Sequence, residues 1–219
     1  MWAIYTASIT SSSPLTEDGV CFKSCICETC WTPFDVSFTY ANDFTMGYTK
    51  SKILAEKEIL NYNKYDNSRL EVVTLACGLV GGKILVPYVP SSVETILSLL
   101  SGNLFFLNAL KCLQELLGSI PLVHIEDICQ AHIFCMEKPS MKGRFLCAAT
   151  NPTIREIASY FQEKFPEYQI GKEFIGGPDK GVECDSTKLM EMGFEYAYDT
   201  KKILDDTVTC GSRLGYLIK

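Results

Sequence analysis

A tyrosine and a lysine four residues apart form the pair in this sequence with the clearest chemical potential. Tyr48 and Lys52 lie in the segment GYTKSK, which begins at Gly47, and a helix is predicted over 48–62. The spacing therefore places both side chains on one helix face. A free tyrosine has a pKa of about 10, but a lysine ammonium beside a phenol favours the phenolate. Such a pair can protonate a carbonyl or deprotonate an alcohol, with a typical gain of ~10²–10⁴-fold.

A serine near the start of the chain supplies a context for this pair, which by itself also arises by chance in helices. Ser8 ends a predicted strand that begins with a short β-rich run over 2–6. A serine at the carboxyl end of a parallel strand lies where open α/β sheets bind their ligands. Ser8, Tyr48 and Lys52 are therefore the predicted catalytic residues.

Alternating elements must position these residues. Short apolar strands and amphipathic helices follow one another along the chain, which is typical of an α/β protein. The segment LEVVTLAC over 70–77 is a continuous apolar strand of the kind buried on both faces of a parallel sheet. Residues 10–46 are predicted to form a long loop. Further strands are predicted over 122–125 and 144–148, and further helices over 92–100, 127–138, 153–165, 187–191 and 200–211.

Two details of these helices are specific enough to be checked. On the helix over 48–62, we expect Glu56 to lie largely off the face that carries Tyr48 and Lys52. Asp127 is predicted to cap the helix that follows the short strand at 122–125, because aspartate is a favoured N-cap residue.

Composition and charge exclude several classes of protein. The chain has 219 residues, 47% of them hydrophobic, and a formal net charge of −6. An acidic chain lacks the basic surface of a nucleic-acid binder, and it lacks a polybasic membrane patch. The most apolar stretch, over 94–111, is interrupted by polar residues, so no membrane span is predicted. The N-terminus has no basic region of a secretory signal, which predicts a cytoplasmic protein with reduced thiols.

Several stretches resemble one known family along most of the chain. They are YTKSKILAEKE from Tyr48, CWT from Cys30, VPSS from Val89 and LVHIEDICQAHIF from Leu122. Together they are similar to the plant anthocyanidin and dihydroflavonol reductases, which are extended short-chain dehydrogenases/reductases. Cinnamoyl-CoA reductases share this scaffold, but their Asn-Trp-Tyr-Cys signature is absent here.

The resemblance implies a fold and a division of the chain. The expected fold is α/β, a partial Rossmann-type doubly wound parallel sheet with a smaller C-terminal substrate-binding α/β region. Residues 1–82 would be the C-terminal half of a dinucleotide-binding domain, carrying the serine and the Tyr-x-x-x-Lys motif. Residues 83–219 would mainly bind substrate, with a strand–helix segment near 120–138 that returns to the Rossmann core.

The resemblance also implies residue roles in an NADPH-dependent reductase of the flavonoid type, acting on a small phenolic substrate. Ser8 would hydrogen-bond the substrate oxygen, Tyr48 would be the general acid, and Lys52 would support Tyr48 and hold the nicotinamide ribose. The hydride would come from NADPH, since no side chain can supply one. The implied cofactor-binding residues are Tyr48, Lys52, Cys77, Gly78, Ser91 and Ser92. The implied substrate-binding residues are Ser13, Trp31 and Pro90.

The chain departs from this family at its beginning. Members of this family begin with a unit made of a strand, a Gly-x-x-Gly-x-x-Gly turn and a helix, which binds the pyrophosphate. No such unit is found ahead of Ser8, so the phosphate-binding turn is expected to be absent. The glycine run over 78–82 precedes an extended stretch, which disfavours phosphate binding there. Two alternatives follow: a truncated homologue without catalytic competence, or a sugar-nucleotide epimerase or dehydratase with the same triad. Missing strands would also leave an exposed sheet edge at 2–6, which predicts self-association.

Four cysteines crowd one short segment, at Cys21, Cys25, Cys27 and Cys30. Thiolates at such spacing suit tetrahedral zinc, but a structural zinc site usually takes its second ligand pair from a separate element. Free thiols are therefore favoured, and no metal is predicted.

Overall fold

The computed structural model describes residues 2–64, 70–138, 141–174 and 181–217. The strands are β1 (Trp2–Ser8), β2 (Cys25–Ile26), β3 (Glu71–Cys77), β4 (Leu79–Gly81), β5 (Leu122–His124), β6 (Gly143–Cys147) and β7 (Glu183–Cys184). The helices are α1 (Asp43–Asn61), α2 (Ser91–Ser101), α3 (Leu104–Leu117), α4 (Ile125–Glu137), α5 (Ile154–Lys164), α6 (Thr187–Glu191) and α7 (Thr200–Arg213).

A parallel sheet with strand order β1-β3-β6 organises the fold and confirms the predicted α/β class. The register places Ser8 beside Cys77, and Cys77 beside Cys147, so the three strands end at one edge. All of β3 after its first residue is buried, as expected for a strand covered on both faces. In the part of the chain that the structure describes, β1 pairs with β3 alone, and self-association through its other edge stays a prediction.

A second parallel sheet, of two strands, begins one residue after β3. β4 was not predicted; it pairs with β5, and Gly78 is the single residue between β3 and β4. At Gly78 a Cβ would lie 2.6 Å from the Pro121 carbonyl oxygen, so only glycine permits this approach. The chain thus passes from one strand pairing to the next beside the end of β1.

Helix α1 begins five residues earlier than predicted. Asn42 caps it: its side chain accepts a hydrogen bond from the Thr45 amide, and the Thr45 hydroxyl accepts one from the Asn42 amide. This reciprocal capping box satisfies two backbone donors at the start of the helix. The earlier start places Tyr48 and Lys52 in the second and third turns.

Asp127 does not cap α4. His124 is the N-cap, because its side chain accepts a hydrogen bond from the Glu126 amide. Asp127 lies inside the first turn, is buried, and accepts a hydrogen bond from the Ala197 amide. A histidine cap is rare enough that the sequence pattern favoured the aspartate.

Helix α3 was also missed by the sequence analysis, which predicted only the helix before it. Gly102, at φ 67°, ends α2, and Asn103 caps α3 with its side chain. Among the described helices no single one is long and apolar enough to cross a membrane, although α2 and α3 together meet that test of length and composition across a bend of 105°. Both helices contribute to an apolar core shared with α5 and α7. The predicted division of the chain at residue 82 stays a prediction.

Candidate active site

A cavity of about 410 Å³ opens where β1 and β3 end. Its volume lies in the range usual for small-molecule sites, and its place at the carboxyl ends of parallel strands is where α/β folds bind ligands. The walls come from the end of β1, the first turns of α1, the end of β3, and helices α2 and α3.

The cavity brings together the three predicted catalytic residues and four other predicted cofactor residues. Ser8, Tyr48 and Lys52 all line it, although they are far apart in the chain. The other predicted residues that line it are Cys77, Gly78, Ser91 and Ser92.

Ser8 is held in place by a short turn that follows β1. It is 8% exposed and caps the 3₁₀ turn Ile9–Ser11, where its Oγ accepts a hydrogen bond from the Thr10 amide. The Ser8 Oγ also lies 3.0 Å from the Thr10 Oγ1. These two contacts fix the direction of the hydroxyl at the cavity wall.

Tyr48 and Lys52 lie one turn apart on α1, as the spacing predicted. Tyr48 is 43% exposed and lines the cavity. The Lys52 Nζ lies 5.8 Å from the centroid of the Tyr48 ring and 5.6 Å from that of Tyr5, within the range of cation–π attraction. Tyr5, which sequence reasoning missed, therefore helps to hold the ammonium beside Tyr48.

A buried ion pair supports the floor of the site beneath Ser8. The Arg144 Nε lies 3.0 Å from the Glu56 Oε1, and both side chains are almost fully buried. The Ser11 Oγ lies 2.5 Å from the Glu56 Oε2 and 2.7 Å from the Ser8 carbonyl oxygen. Thr74 of β3 donates to the other Glu56 oxygen. Glu56 is fully buried and does not line the cavity that Tyr48 and Lys52 share, which agrees with the expectation that it lies largely off their face.

Cys77 forms an apolar part of the wall. The pKa of the Cys77 thiol is raised well above its usual value. The main cause is its hydrogen bond with the Cys147 thiol, and the second cause is burial. The thiol is therefore protonated at neutral pH and does not act as a nucleophile.

Aromatic side chains that the sequence analysis did not single out form another wall. The centroids of the Phe44 and Phe105 rings are 6.0 Å apart, and those of Phe105 and Phe106 are 5.1 Å apart at 87°. All three rings line the cavity, while Phe44 and Phe105 are also substantially exposed. This wall offers apolar surface to a planar ring. Phe105 and Phe106 belong to α3, so predicting that helix from the sequence would have identified two of the three aromatic residues.

The three residues predicted to bind substrate lie outside the cavity lining. Ser13 is fully buried, and its hydroxyl donates to the Leu116 carbonyl oxygen. The Trp31 ring stacks on Arg144, with 3.8 Å between the guanidinium carbon and the ring centroid. Pro90 is the N-cap residue of α2. In this structure the three residues contact the surrounding protein, and their role in substrate binding stays a prediction.

The glycine run over 78–82 packs against the protein instead of forming an open cradle. A Cβ at Gly81 would lie 2.6 Å from the Thr207 Oγ1, and one at Gly82 would lie 2.2 Å from the His124 Nε2. The Gly82 amide donates to Thr207. Gly81 and Gly82 therefore belong to the packed structure around His124 and Thr207, and the expectation that the run does not bind phosphate stays a prediction.

Comparison with known proteins identifies relatives that match most of this chain. No protein-family model matches the chain. It is 38% identical over 180 residues to an anthocyanidin reductase of Vitis vinifera, covering 81% of this chain and 52% of that protein. It is 32% identical over 186 residues to a dihydroflavonol 4-reductase of Callistephus chinensis, covering 84% and 49%. The chain therefore spans about half the length of the curated relatives it matches.

Solved structures show the same relationship. Vestitone reductase from alfalfa superposes with a TM-score of 0.77 at 28% identity, over 99% of this chain and 66% of that one. Gre2 of Candida albicans, solved with NADPH, superposes with a TM-score of 0.67 at 23% identity, over 97% and 64%; at that identity the likeness shows the fold alone. The fold and the sequence similarity together place this chain with the plant anthocyanidin and dihydroflavonol reductases of the extended short-chain dehydrogenase/reductase family.

Proposed function

We propose that this chain carries the catalytic and substrate-binding part of an NADPH-dependent reductase that acts on a carbonyl or related unsaturated group of a flavonoid-type phenol. The observation that carries the proposal is the meeting of Ser8, Tyr48 and Lys52 at one cavity of small-molecule size. The names of the relatives support an oxidoreductase of this class.

The geometry supports a proton-transfer role for Tyr48. Tyr48, which lines the cavity, gives its phenol proton to the substrate oxygen, while the Ser8 hydroxyl hydrogen-bonds that oxygen. The Lys52 ammonium, held between two aromatic rings, stabilises the negative charge that remains on the tyrosine oxygen. NADPH, when bound, supplies the hydride.

The residues present suit the nicotinamide end of such a cofactor. Lys52 offers a cation and hydrogen-bond donors, and Ser91 and Ser92 offer hydroxyls at the N-terminus of α2, all at the same cavity. Cys77 and Gly78 complete this wall with a neutral thiol and bare backbone. Gly81 and Gly82 pack against Thr207 and His124, so this run offers no open cradle for a pyrophosphate.

The aromatic wall supports a phenolic substrate over a sugar nucleotide. Phe44, Phe105 and Phe106 present ring faces and edges to the cavity. Aromatic pairs of this kind favour a planar aromatic ligand by about 0.5–1.5 kcal/mol beyond burial. A sugar would need hydrogen-bonding groups on that wall, and no described feature favours the epimerase or dehydratase alternative.

Turnover of the intact chain tests the proposal. NADPH oxidation is followed by nicotinamide absorbance with an anthocyanidin or a dihydroflavonol as substrate. Tyr48→Phe, which removes only the hydroxyl, is expected to lower kcat by ~10²–10⁴-fold while largely sparing substrate affinity. Tyr62→Phe is the matched control, since Tyr62 is exposed at the other end of α1 and outside the cavity. Turnover of Tyr48→Phe at the wild-type rate would refute the proton-donor role.

A further inference from the structure

The loop ahead of Trp31 holds two thiols in contact. The Cys27 and Cys30 Sγ atoms are 3.5 Å apart. The Cys30 amide donates to the Cys27 carbonyl oxygen at 2.9 Å, so a tight turn brings the two side chains together. A Cys-x-x-Cys turn is a common setting for a reversible disulfide.

The two thiols differ in access and in acidity. Cys27 is partly exposed, whereas Cys30 is 1% exposed. Burial acts to raise the pKa of the Cys27 thiol, but hydrogen bonds from Thr29 and Cys30 outweigh it and lower that pKa. The Thr29 Oγ1 lies 3.1 Å from the Cys27 Sγ. Burial raises the pKa of the Cys30 thiol. The accessible sulfur is thus the better thiolate, and the buried one is placed to attack it.

We propose that Cys27 and Cys30 form a thiol–disulfide exchange site for small disulfides of the glutathione class. The Cys27 thiolate attacks one sulfur of glutathione disulfide, forming a mixed disulfide and releasing one glutathione thiolate. Cys30 then loses its proton, attacks the Cys27 sulfur and releases the second glutathione. The dithiol is oxidised by two electrons, and one glutathione disulfide is reduced to two glutathiones, which take up the two protons.

Other cysteines differ from this pair in access. Cys21 is exposed, whereas Cys77 and Cys147, whose thiols are also in contact, are both buried. Within the described ranges, no group of three or more histidine, cysteine or acidic side chains is arranged to hold a metal ion. The contact between Cys27 and Cys30 therefore indicates dithiol chemistry in place of the zinc site considered above.

This pair is connected to the floor of the cavity. Arg144 Nη1 donates to the carbonyl oxygens of Glu28 and Cys30, which lie within the turn that a disulfide would close. Arg144 Nη2 donates to Ser11, whose hydroxyl lies 2.7 Å from the Ser8 carbonyl oxygen. Formation of the disulfide is expected to shift these two carbonyl oxygens. It is therefore expected to change the midpoint temperature of thermal unfolding.

Mass spectrometry of the whole chain tests the proposal. The reduced protein is incubated with glutathione disulfide, quenched with a maleimide and digested. We expect a disulfide between Cys27 and Cys30, with loss of two hydrogens. Cys30→Ser is expected to stop at a glutathione adduct on Cys27, and Cys27→Ser is expected to form neither product. Cys21→Ser, a change at a nearby exposed thiol, should leave the pairing intact.

Alkylation rates provide a second readout that does not depend on either variant folding. In the wild-type chain, Cys27 is expected to react about tenfold faster at neutral pH than the exposed Cys129. A disulfide that joins other cysteines, or a Cys27 no faster than Cys129, would overturn the proposal. Both readouts are independent of NADPH, so they decide this site whether or not the chain is a reductase.

Discussion

Helix α1 presents two regions with opposite characters, only a turn apart. Towards its start, Tyr48 is 43% exposed and the Lys52 Nζ lies over the Tyr5 and Tyr48 rings, and both residues line the cavity. One turn later, Glu56 is fully buried, and Arg144, Ser11 and Thr74 satisfy its two oxygens. The comparison shows that one helix carries two kinds of side chain. Tyr48 and Lys52 face the cavity, whereas Glu56 fixes the position of the helix against the sheet.

The buried region should give the largest effect on stability. Arg144→Leu removes the partner of a fully buried carboxylate and is expected to lower the free energy of unfolding by about 3–5 kcal/mol. Denaturant unfolding measures this change. The double variant Glu56→Leu, Arg144→Leu should lose less than the two single changes together, because no charge is left unpaired. Additive losses would show that the two side chains do not act as a pair.

The cavity region should give its largest effect on turnover. Ser8→Ala removes a donor to the substrate oxygen and is expected to lower kcat by about 10²–10³-fold, with a smaller change in KM. Ser51→Ala is the control, because Ser51 is exposed on α1 and outside the cavity lining. Equal kcat values for Ser8→Ala and Ser51→Ala would argue against a role for Ser8.

The aromatic wall should affect binding more than chemistry. Phe105→Ala removes the ring that contacts both Phe44 and Phe106. It is expected to raise KM for a phenolic substrate about three- to tenfold with kcat little changed, which corresponds to about 0.5–1.5 kcal/mol. Steady-state kinetics with Leu85→Ala as an exposed control separates this effect from a general one. A fall in kcat at constant KM would place the ring in the chemical step instead.

The smallest effect concerns the pH dependence of the loop thiol. Hydrogen bonds from Thr29 and Cys30 lower the pKa of Cys27 despite the opposing effect of burial, so its thiolate forms at a lower pH than that of an ordinary thiol. The rate of alkylation at Cys27 should therefore reach half its maximum at a lower pH than for N-acetylcysteine. Thr29→Val should move that midpoint upward. A midpoint unchanged by Thr29→Val would show that the hydroxyl contributes nothing.

The parts of the site that could be predicted are those set by local spacing. Tyr48 and Lys52 follow from the helical period, and Ser8 follows from its position at the carboxyl end of a strand. The end of the buried strand likewise placed Cys77 and Gly78 at the same edge.

The parts that could not be predicted depend on distant partners. The burial of the Glu56 carboxylate depends on Arg144, 88 residues away in the chain. Phe105 and Phe106 belong to α3, whose broad apolar surface hid its period. Ser13 and Trp31 were assigned to a pocket, yet their partners are the Leu116 carbonyl and Arg144. Such contacts are set by tertiary packing and leave no local signal.

Titration of NADPH against the intact 219-residue chain, followed by nicotinamide fluorescence, tests the central claim most directly. The account predicts saturable binding that Tyr48→Phe largely retains and that Lys52→Met weakens, since Lys52 provides the cation at the cavity. A signal that does not saturate, or one that is unchanged by Lys52→Met, would contradict the assignment of this cavity as a nicotinamide-dependent active site.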